Sequence, residues 1–273
     1  MNARPTPRQV LHWYLESGVD EAIGEVPVDR YALSAVAVPS RPSPEPRRQP
    51  PPLPSPPRPA SPAPAPAADT PAASGGAAAL AAAARTLDEL RTALMGFEGC
   101  SLKAGARSTV FADGNPEAPV MVIGEAPGAD EDAQGLPFVG ASGRLLDRML
   151  GSIGLDRQTS AYITNVVPWR PPINRKPSPA EVAVCLPFVE RHIALVAPRV
   201  LLLVGGLAAS HLLASKDGIM RLRGQWFDYA TGLQRPVPTI ATFHPAYLLR
   251  SPAEKRLAWR DLLSLRQRLD SLG

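Results

Sequence analysis

The sequence has few cysteines, no long apolar run and no nucleotide-binding glycine motif. It has only two cysteines, Cys100 and Cys185, which excludes a disulfide scaffold and indicates a reducing compartment. It contains no run of 18 apolar residues, and its N-terminus lacks the apolar segment of a signal peptide. Neither a Walker A loop nor a GxGxxG fingerprint is present. We therefore expect a soluble cytoplasmic protein with no membrane partner.

Proline, by contrast, is in excess, and it is concentrated in one segment. Of 33 prolines in the 273 residues, 15 lie between Pro39 and Pro71. Such a tract can neither form a hydrogen-bond ladder nor bury a core, so we predict a Pro/Ala-rich, disordered linker over residues 39–76. It would join a short N-terminal helical segment, residues 1–38, to a catalytic domain, residues 77–273. The linker is either a spacer or a docking segment for a protein partner.

Within residues 77–273, short apolar runs alternate with helical patterns. The runs that predict buried strands are Pro119–Gly124, Tyr162–Val167, Val200–Gly205 and Val237–Phe243. The helical candidates are Ala77–Met95, Ser142–Ile153, Pro179–Val196, Leu207–Ala214 and Pro252–Leu272. Continuously apolar strands that alternate with helices predict an α/β fold with a parallel sheet covered on both faces. Ligands of such sheets bind beyond the carboxyl ends of the strands.

The first predicted strand ends in GEAPG, residues 124–128, which is either a tight turn or a place where the backbone approaches a ligand. Two carboxylates, Glu131 and Asp132, follow it. Next comes the rigid loop GLPFVG, residues 135–140. Its Phe138 is either a core residue or an aromatic face on which a base stacks.

Two further motifs end the second and fourth predicted strands. Asn165 is either a local turn or cap, or an amide that pairs with the O4 and N3–H edge of a pyrimidine such as uracil. The segment FHPAYLLR, residues 243–250, is either a plain helix start or a functional loop. In the functional reading, His244 stabilises charge on a carbonyl oxygen, Leu248 and Leu249 form an exposed apolar wedge, and Arg250 holds a phosphate. The net charge of +4 fits a nucleic-acid partner.

Taken in order along the chain, these motifs resemble those of family 4 uracil-DNA glycosylases. The similar segments are GNPEAPVMVIGEAPGADEDAQGLPFVGASGRLLDRML, YITNVVPWRPPINRKPSPAE, RLRGQW and FHPAYLLR, within about Cys100–Asp261. The resemblance implies a three-layer α/β/α sandwich with a central four-stranded parallel sheet. It also implies hydrolysis of the uracil–deoxyribose bond in single- and double-stranded DNA, by a monomer in the bacterial cytosol or nucleoid.

The resemblance also implies roles for individual residues. Catalysis is expected from Glu125 and His244, with Glu131 and Asp132 as nearby carboxylates. Uracil is expected to contact four residues of the pocket, namely Gly124, Ala126, Phe138 and Asn165. The DNA strands are expected to contact Leu248, Leu249 and Arg250.

The sequence departs from the family pattern at the four thiolates that hold a [4Fe–4S] cluster. These positions are Phe97, Cys100, Trp169 and Cys185, so only two cysteines remain. We predict that the cluster is lost and that apolar packing around Phe97 and Trp169 replaces it; a cluster retained with non-cysteine ligands is the alternative. No other metal or cofactor is expected.

Two other functions remain open at this stage. One is a non-catalytic DNA-binding or scaffold protein on the same fold, which the missing cluster ligands and the proline-rich arm suggest. The other is a nucleotide-dependent α/β enzyme that uses GEAPG as a phosphate loop. The YITNVVPWRPPINR region lacks the long basic, histidine-bearing insertion of relatives that trap uracil-DNA covalently, which favours hydrolytic turnover.

Overall fold

The computed structural model of the chain describes residues 71–233 and 235–272, and within them six strands form one sheet. The strands are β1 (Asp113–Gly114), β2 (Val120–Gly124), β3 (Ala161–Asn165), β4 (Val200–Val204), β5 (Trp226–Tyr229) and β6 (Val237–Thr242). Their order across the sheet is β1-β3-β2-β4-β6-β5. The inner four are parallel, and β1 and β5 pair antiparallel at the two edges.

All four predicted strands are confirmed, each to within two residues at either end. β2, β3 and β4 are buried at every position, as expected for strands covered on both faces. The sequence did not reveal the edge strands. β1 has two residues, and β5 is buried at only one of its four positions, so neither gives a continuous apolar run.

Nine α-helices surround the sheet in the described part of the chain. They are α1 (Pro71–Ala83), α2 (Leu87–Gly96), α3 (Ala129–Gln134), α4 (Ala141–Gly151), α5 (Pro179–Val196), α6 (Gly206–Leu212), α7 (Ile219–Leu222), α8 (Pro245–Arg250) and α9 (Lys255–Ser271). The N-terminal segment 1–38 and linker residues 39–70 lie outside the described residues. The last six residues assigned to the linker, 71–76, belong to α1.

The segment Ala77–Met95, which is rich in helix formers, lies in two helices. The chain forms α1 and α2 with a break at residues 84–86. Thr86 has an extended backbone, and its side chain accepts a hydrogen bond from the amide of Glu89, which starts α2. This is the N-cap arrangement that threonine favours, and it separates the two helices.

Alternate residues of each inner strand face two separate cores, which makes the fold a three-layer α/β/α sandwich. On one face, Met121 and Ile123 of β2 belong to a cluster that includes residues of α1, α2 and α5. On the other face, Val120 and Val122 pack in a cluster with residues of α4 and α9. The period of two along a strand produces this division.

α5 shows how local sequence fixes an element beside the site. Ser178 caps its first turn, and the Glu181 carboxylate accepts a hydrogen bond from the Ser178 amide in return. Pro179 occupies the first turn, where its missing N–H is harmless. No helix in residues 71–233 and 235–272 is both long and apolar enough to cross a membrane.

Candidate functional site

A cleft of about 550 Å³ opens at the carboxyl ends of the parallel strands. Its walls come from the segment after β2, the end of β3, the segment 171–176 and the start of α8. The predicted site residues that line it are Glu125, Ala126, Glu131, Phe138, Asn165, His244 and Arg250. The structure therefore brings together, in one place, residues that are separated by as many as 125 positions in the sequence.

Gly124, the last residue of β2, allows two recognition side chains to meet. A Cβ at this position would lie 2.5 Å from Phe138 Cζ and 2.5 Å from Asn165 Oδ1, closer than such atoms can approach. The glycine is thus required by contact on both sides, rather than by turn geometry. Its missing side chain leaves room for the aromatic ring and the amide to approach the same backbone position.

Phe138 has a strained backbone that directs its ring to the cleft. Its φ is +54°, in the left-handed region that side chains other than glycine, asparagine and aspartate rarely adopt. The residue is 4% exposed, and its ring centroid lies 5.6 Å from that of His244. Strain of this kind persists only where the surroundings enforce it, and it is concentrated at functional sites.

The side chain of Asn165 is buried, yet its Oδ1 has no hydrogen-bond partner among the described residues. A buried polar atom without a partner is disfavoured, so such atoms are rare in folded proteins. The alternative role for Asn165, an Asx turn or cap, would have given this oxygen a backbone partner. The amide is instead left available to a group that enters the cleft.

His244 combines the two alternatives considered for FHPAYLLR. It is the N-cap of α8, because its Nδ1 accepts a hydrogen bond from the amide of Ala246 at 3.1 Å. Burial, with a smaller contribution from Arg250, lowers the pKa of His244 to about 4. The ring is therefore neutral near pH 7, and the cap bond assigns the proton to Nε2, which becomes a donor.

Gly205, the residue that follows β4, lies close to His244. The glycine has a φ of +101°, and a Cβ there would lie 3.1 Å from the Cβ of His244. Both the backbone conformation and the contact favour glycine at this position. The imidazole is held between the end of β4 and the ring of Phe138.

Glu125 is the half-buried carboxylate of the cleft. Desolvation raises the pKa of its carboxyl group, and the nearby Lys176 ammonium partly offsets this shift. A carboxylate with a raised pKa accepts a proton more readily, which suits a group that orients and deprotonates water.

Glu131 and Asp132 are buried and hold backbone in place. Glu131 accepts hydrogen bonds from the amides of Gly128, Val139 and Gly140, so it ties the GEAPG turn to the Phe138 loop. Asp132 accepts from the amides of residues 107 and 108 and does not line the cleft. Glu131 reaches the cleft wall, but the structure does not bring Asp132 there.

The exposure expected for Leu248 is wrong. Leu248 and Leu249 lie in α8 rather than in a loop, and consecutive helical residues point about 100° apart. Leu248 is 1% exposed and packs in the cluster that contains α4, whereas Leu249 is 41% exposed. Arg250 is exposed at the end of α8 and lines the cleft.

Arg157, which fixes the Phe138 loop, was not among the predicted site residues. Its guanidinium donates to the carbonyl oxygens of Pro137 at 2.9 Å and Phe138 at 2.6 Å, and it forms ion pairs with Asp113 and Asp147. Arg157 lies in a turn before β3, outside every motif. Only the three-dimensional structure connects it to the site.

The segment 170–176 forms another part of the cleft wall and was not among the predicted site residues. Pro171, Asn174, Arg175 and Lys176 line the cleft. The basic residues of RPPINRK were the available signal, but a cationic turn on a protein surface is common without a ligand.

The four positions of the family's cluster ligands lie in one buried cluster of largely apolar residues. The Phe97 ring packs 5.2 Å from that of Phe188, and the indole N–H of the buried Trp169 donates to Thr109. Cys100 and Cys185 are buried thiols, and a hydrogen bond with Cys100, followed by burial, raises the pKa of Cys185. No group of three or more potential metal ligands occurs within the described ranges.

Comparison with known proteins agrees with this site. Residues 111–263 match the model of the uracil DNA glycosylase superfamily. A type-4 uracil-DNA glycosylase of Archaeoglobus fulgidus is 39% identical over 171 residues, which cover 61% of this chain and 85% of that protein. Those of Pyrobaculum aerophilum and Thermotoga maritima are each 37% identical, and the matches cover 91% and 84% of their lengths. The chain is a member of the uracil DNA glycosylase superfamily.

Proposed function

We propose that this chain is a DNA-repair glycosylase that hydrolyses the N-glycosidic bond of deoxyuridine flipped out of DNA, releasing uracil and leaving an abasic site. The observation that carries the proposal is the buried Asn165 amide, whose Oδ1 has no hydrogen-bond partner in the part of the chain that the structure describes. The residue lines a cleft beside an aromatic ring and a neutral histidine. The similarity to type-4 uracil-DNA glycosylases supports the same function.

Uracil recognition in this proposal uses three side chains. The ring stacks on Phe138, at the closed end of the cleft. The Asn165 amide accepts a hydrogen bond from N3–H and donates one to O4, and the base supplies the partner that Oδ1 lacks. Cytosine has no proton on N3 and carries a donor at C4, so it would leave the amide unsatisfied, which is the stronger form of discrimination.

Bond cleavage requires stabilisation of charge on the departing base. As the N1–C1′ bond breaks, its electron pair moves to uracil, and the Nε2–H of His244 donates to the O2 atom that gains this charge. Glu125 orients a water molecule toward C1′ and accepts its proton as the new C–O bond forms. The products are free uracil and an abasic deoxyribose. Ala126 forms part of the wall against which the nucleotide lies, and Gly124 lies behind it, against Phe138 and Asn165.

The assay is release of uracil from labelled oligonucleotides that carry U:G, U:A or single-stranded U. We expect excision from all three and none from the matched cytosine strands. Binding of uracil-DNA without release would favour the rival function, a non-catalytic DNA-binding or scaffold protein. The phosphate-loop enzyme has no support in the cleft, because the backbone after Gly124 carries no Walker or dinucleotide signature.

We further propose that the chain holds no [4Fe–4S] cluster, because its residues do not fit one. Two of the four thiolate positions carry buried aromatic rings, and Trp169 already uses its only polar atom in a hydrogen bond. No step of the proposed reaction involves a cluster or any other metal or cofactor.

Iron analysis and absorbance near roughly 400 nm after anaerobic purification test this proposal. We expect neither iron nor the absorbance band in the natural chain. The double variant F97C/W169C, which restores four cysteines, is the matched positive control. A brown natural chain would establish the alternative, a cluster with non-cysteine ligands.

The remaining proposals concern the setting of the enzyme. We propose a monomer that acts on single- and double-stranded uracil-DNA in the cytoplasm, in the bacterial cytosol or nucleoid, with no membrane partner. The linker of residues 39–76 serves as a spacer or docks a repair or replication protein. Size-exclusion chromatography with light scattering tests the first point, and excision by a chain that begins at residue 71 tests whether the preceding residues are needed.

A further inference from the structure

The most exposed large apolar residue in the described part of the chain lies beside the cleft. Ile173 is 97% exposed, whereas the next, Met220, is 61% exposed. Its neighbours Pro171, Asn174 and Arg175 line the cleft, so the isoleucine lies in a segment of the cleft wall. A fully exposed isoleucine gains nothing from the protein core.

The backbone at Ile173 makes this placement more unusual. Its φ and ψ are 54° and 25°, the left-handed conformation, and Asn174 follows with a φ of 52°. A β-branched side chain is strongly disfavoured there, whereas glycine or asparagine would fit. Isoleucine therefore stands at a position where its shape and its polarity are both unfavourable for the free protein.

Hydrogen bonds within the surrounding loop, and an ion pair from the loop to α5, hold the backbone on both sides of the isoleucine. Arg170 donates to Asn174 Oδ1 at 2.8 Å, and the amide of Asn174 donates to the carbonyl of Pro171 at 3.1 Å. On the other side, the Arg175 guanidinium donates to both carboxylate oxygens of Glu181, at 2.8 and 2.6 Å. The loop is a rigid support for one apolar tip.

The charges next to this tip indicate what covers it. Lys176 and Arg250, both exposed, line the same cleft from two different segments. Cationic groups beside an apolar tip match the surface of DNA, which offers phosphates next to stacked bases.

On these grounds, and given the proposed function, we infer that Ile173 is a wedge that enters the base stack of double-stranded DNA as deoxyuridine leaves it. Filling the gap in the stack opposes return of the base, so the wedge raises the population of flipped nucleotide. Single-stranded DNA has no duplex stack to restore. The contribution of Ile173 is therefore specific to duplex substrates.

The test uses Ile173→Gly and Ile173→Asn, with Met95→Ala as a matched control at an exposed apolar residue that does not line the cleft. Glycine and asparagine adopt the left-handed conformation readily, so we expect the two Ile173 variants to be at least as stable as the natural chain in urea. Single-turnover excision from U:A duplex should fall ~10-fold, while excision from single-stranded U stays within about twofold. The control should match the natural chain on both substrates.

A second readout separates this inference from the proposed function. In a duplex with non-hydrolysable 2′-fluoro-deoxyuridine beside 2-aminopurine, saturating natural chain should raise the fluorescence by unstacking the reporter, and Ile173→Gly should reduce that rise. The wedge is overturned if the rise is unchanged, or if excision falls equally on both DNA forms. Absence of uracil release by the natural chain would overturn the proposed function alone, because the fluorescence still reports on Ile173.

Discussion

The cleft and the region around Cys100 and Cys185 lie in the same domain. They differ in whether their buried polar groups have hydrogen-bond partners and in whether their backbone is strained. In the cleft, the buried Oδ1 of Asn165 has no hydrogen-bond partner among residues 71–233 and 235–272, and Phe138 has a left-handed backbone. In the cysteine region, the indole N–H of Trp169 is bonded to Thr109 and Phe97 packs against Phe188. Unsatisfied and strained groups are unfavourable for folding, so they are retained where a ligand uses them.

The comparison teaches that the two regions contribute to different properties. We expect substitutions in the cleft to change excision with little effect on folding. We expect substitutions in the cysteine region to change the free energy of unfolding with little effect on excision by the folded protein.

The largest effect is expected at His244. His244→Ala removes both the helix cap and the Nε2–H donor, and loss of one such donor lowers the rate about 10²- to 10³-fold. His244→Asp restores the cap, since aspartate is a good N-cap residue, but its ionised carboxylate has no proton to donate. Both variants should lose excision, with His244→Asp the more stable in urea denaturation. Recovery of excision in His244→Asp would show that the cap, rather than the donor, matters.

The converse effect is expected at Trp169. Trp169→Ala should reduce the free energy of unfolding by about 3–5 kcal/mol, the range for removing a buried tryptophan. Trp259→Ala, at a residue of α9 that is 40% exposed, is the matched control and should change it by less than about 0.5 kcal/mol. Well below its unfolding transition, Trp169→Ala should excise uracil at close to the natural rate. A stable Trp169→Ala variant that no longer excises uracil would place Trp169 in the site. It would contradict the expectation that the cysteine region contributes to stability rather than to excision.

A smaller effect is expected at Arg157, which acts on the cleft through Phe138. Arg157→Lys cannot reach both carbonyl oxygens and both carboxylates, so the ring should be held less well and KM for uracil-DNA should rise about 3- to 10-fold, with kcat changing less. In a Phe138→Ala background the same substitution should have little further effect on KM. Equal losses in both backgrounds would mean that Arg157 contributes only to stability.

The smallest effect is a shift in the pH profile of excision. The raised pKa of Glu125 should make the rate fall with decreasing pH above the usual range of a carboxyl group, because the carboxylate is the active form. His244, with a pKa of about 4, should add no inflection between about pH 5 and 8. Lys176→Gln removes a charge that lowers the pKa of Glu125, so the acid limb should move to higher pH in single-turnover assays. A limb that does not move would argue against Glu125 as the base.

Much of the fold was predictable because buried parallel strands have a strong sequence signal. β2, β3, β4 and β6 were each predicted from one apolar run, and their carboxyl ends located the site. The edge strands β1 and β5 were not predicted, because an edge strand does not need apolar residues on both of its faces. The break between α1 and α2 was not predicted, although Thr86 and Glu89 form a recognisable helix cap. The alanine-rich sequence before Thr86 favours a continuous helix and hides this signal.

The site was predictable where a motif carries the chemistry, and not where tertiary contacts do. Glu125, Phe138, Asn165 and His244 all line the cleft as their motifs indicated. Asp132 and Leu248 were misplaced because the sequence does not show which face of a short helix is buried. Arg157 was not predicted, because nothing near it in the sequence indicates that it donates to the carbonyl oxygen of Phe138, 19 residues away.

The pairing of Arg175 with Glu181 has a consequence for how quickly DNA is captured. Glu181 is 4% exposed, and its hydrogen bonds with Arg175 lower the pKa of its carboxyl group, so the pair stays charged at neutral pH. The first turn of α5 therefore fixes the 170–176 loop during folding. The entropy of ordering this loop is lost before any encounter with DNA, and association can proceed at a rate set by diffusion and charge rather than by loop rearrangement.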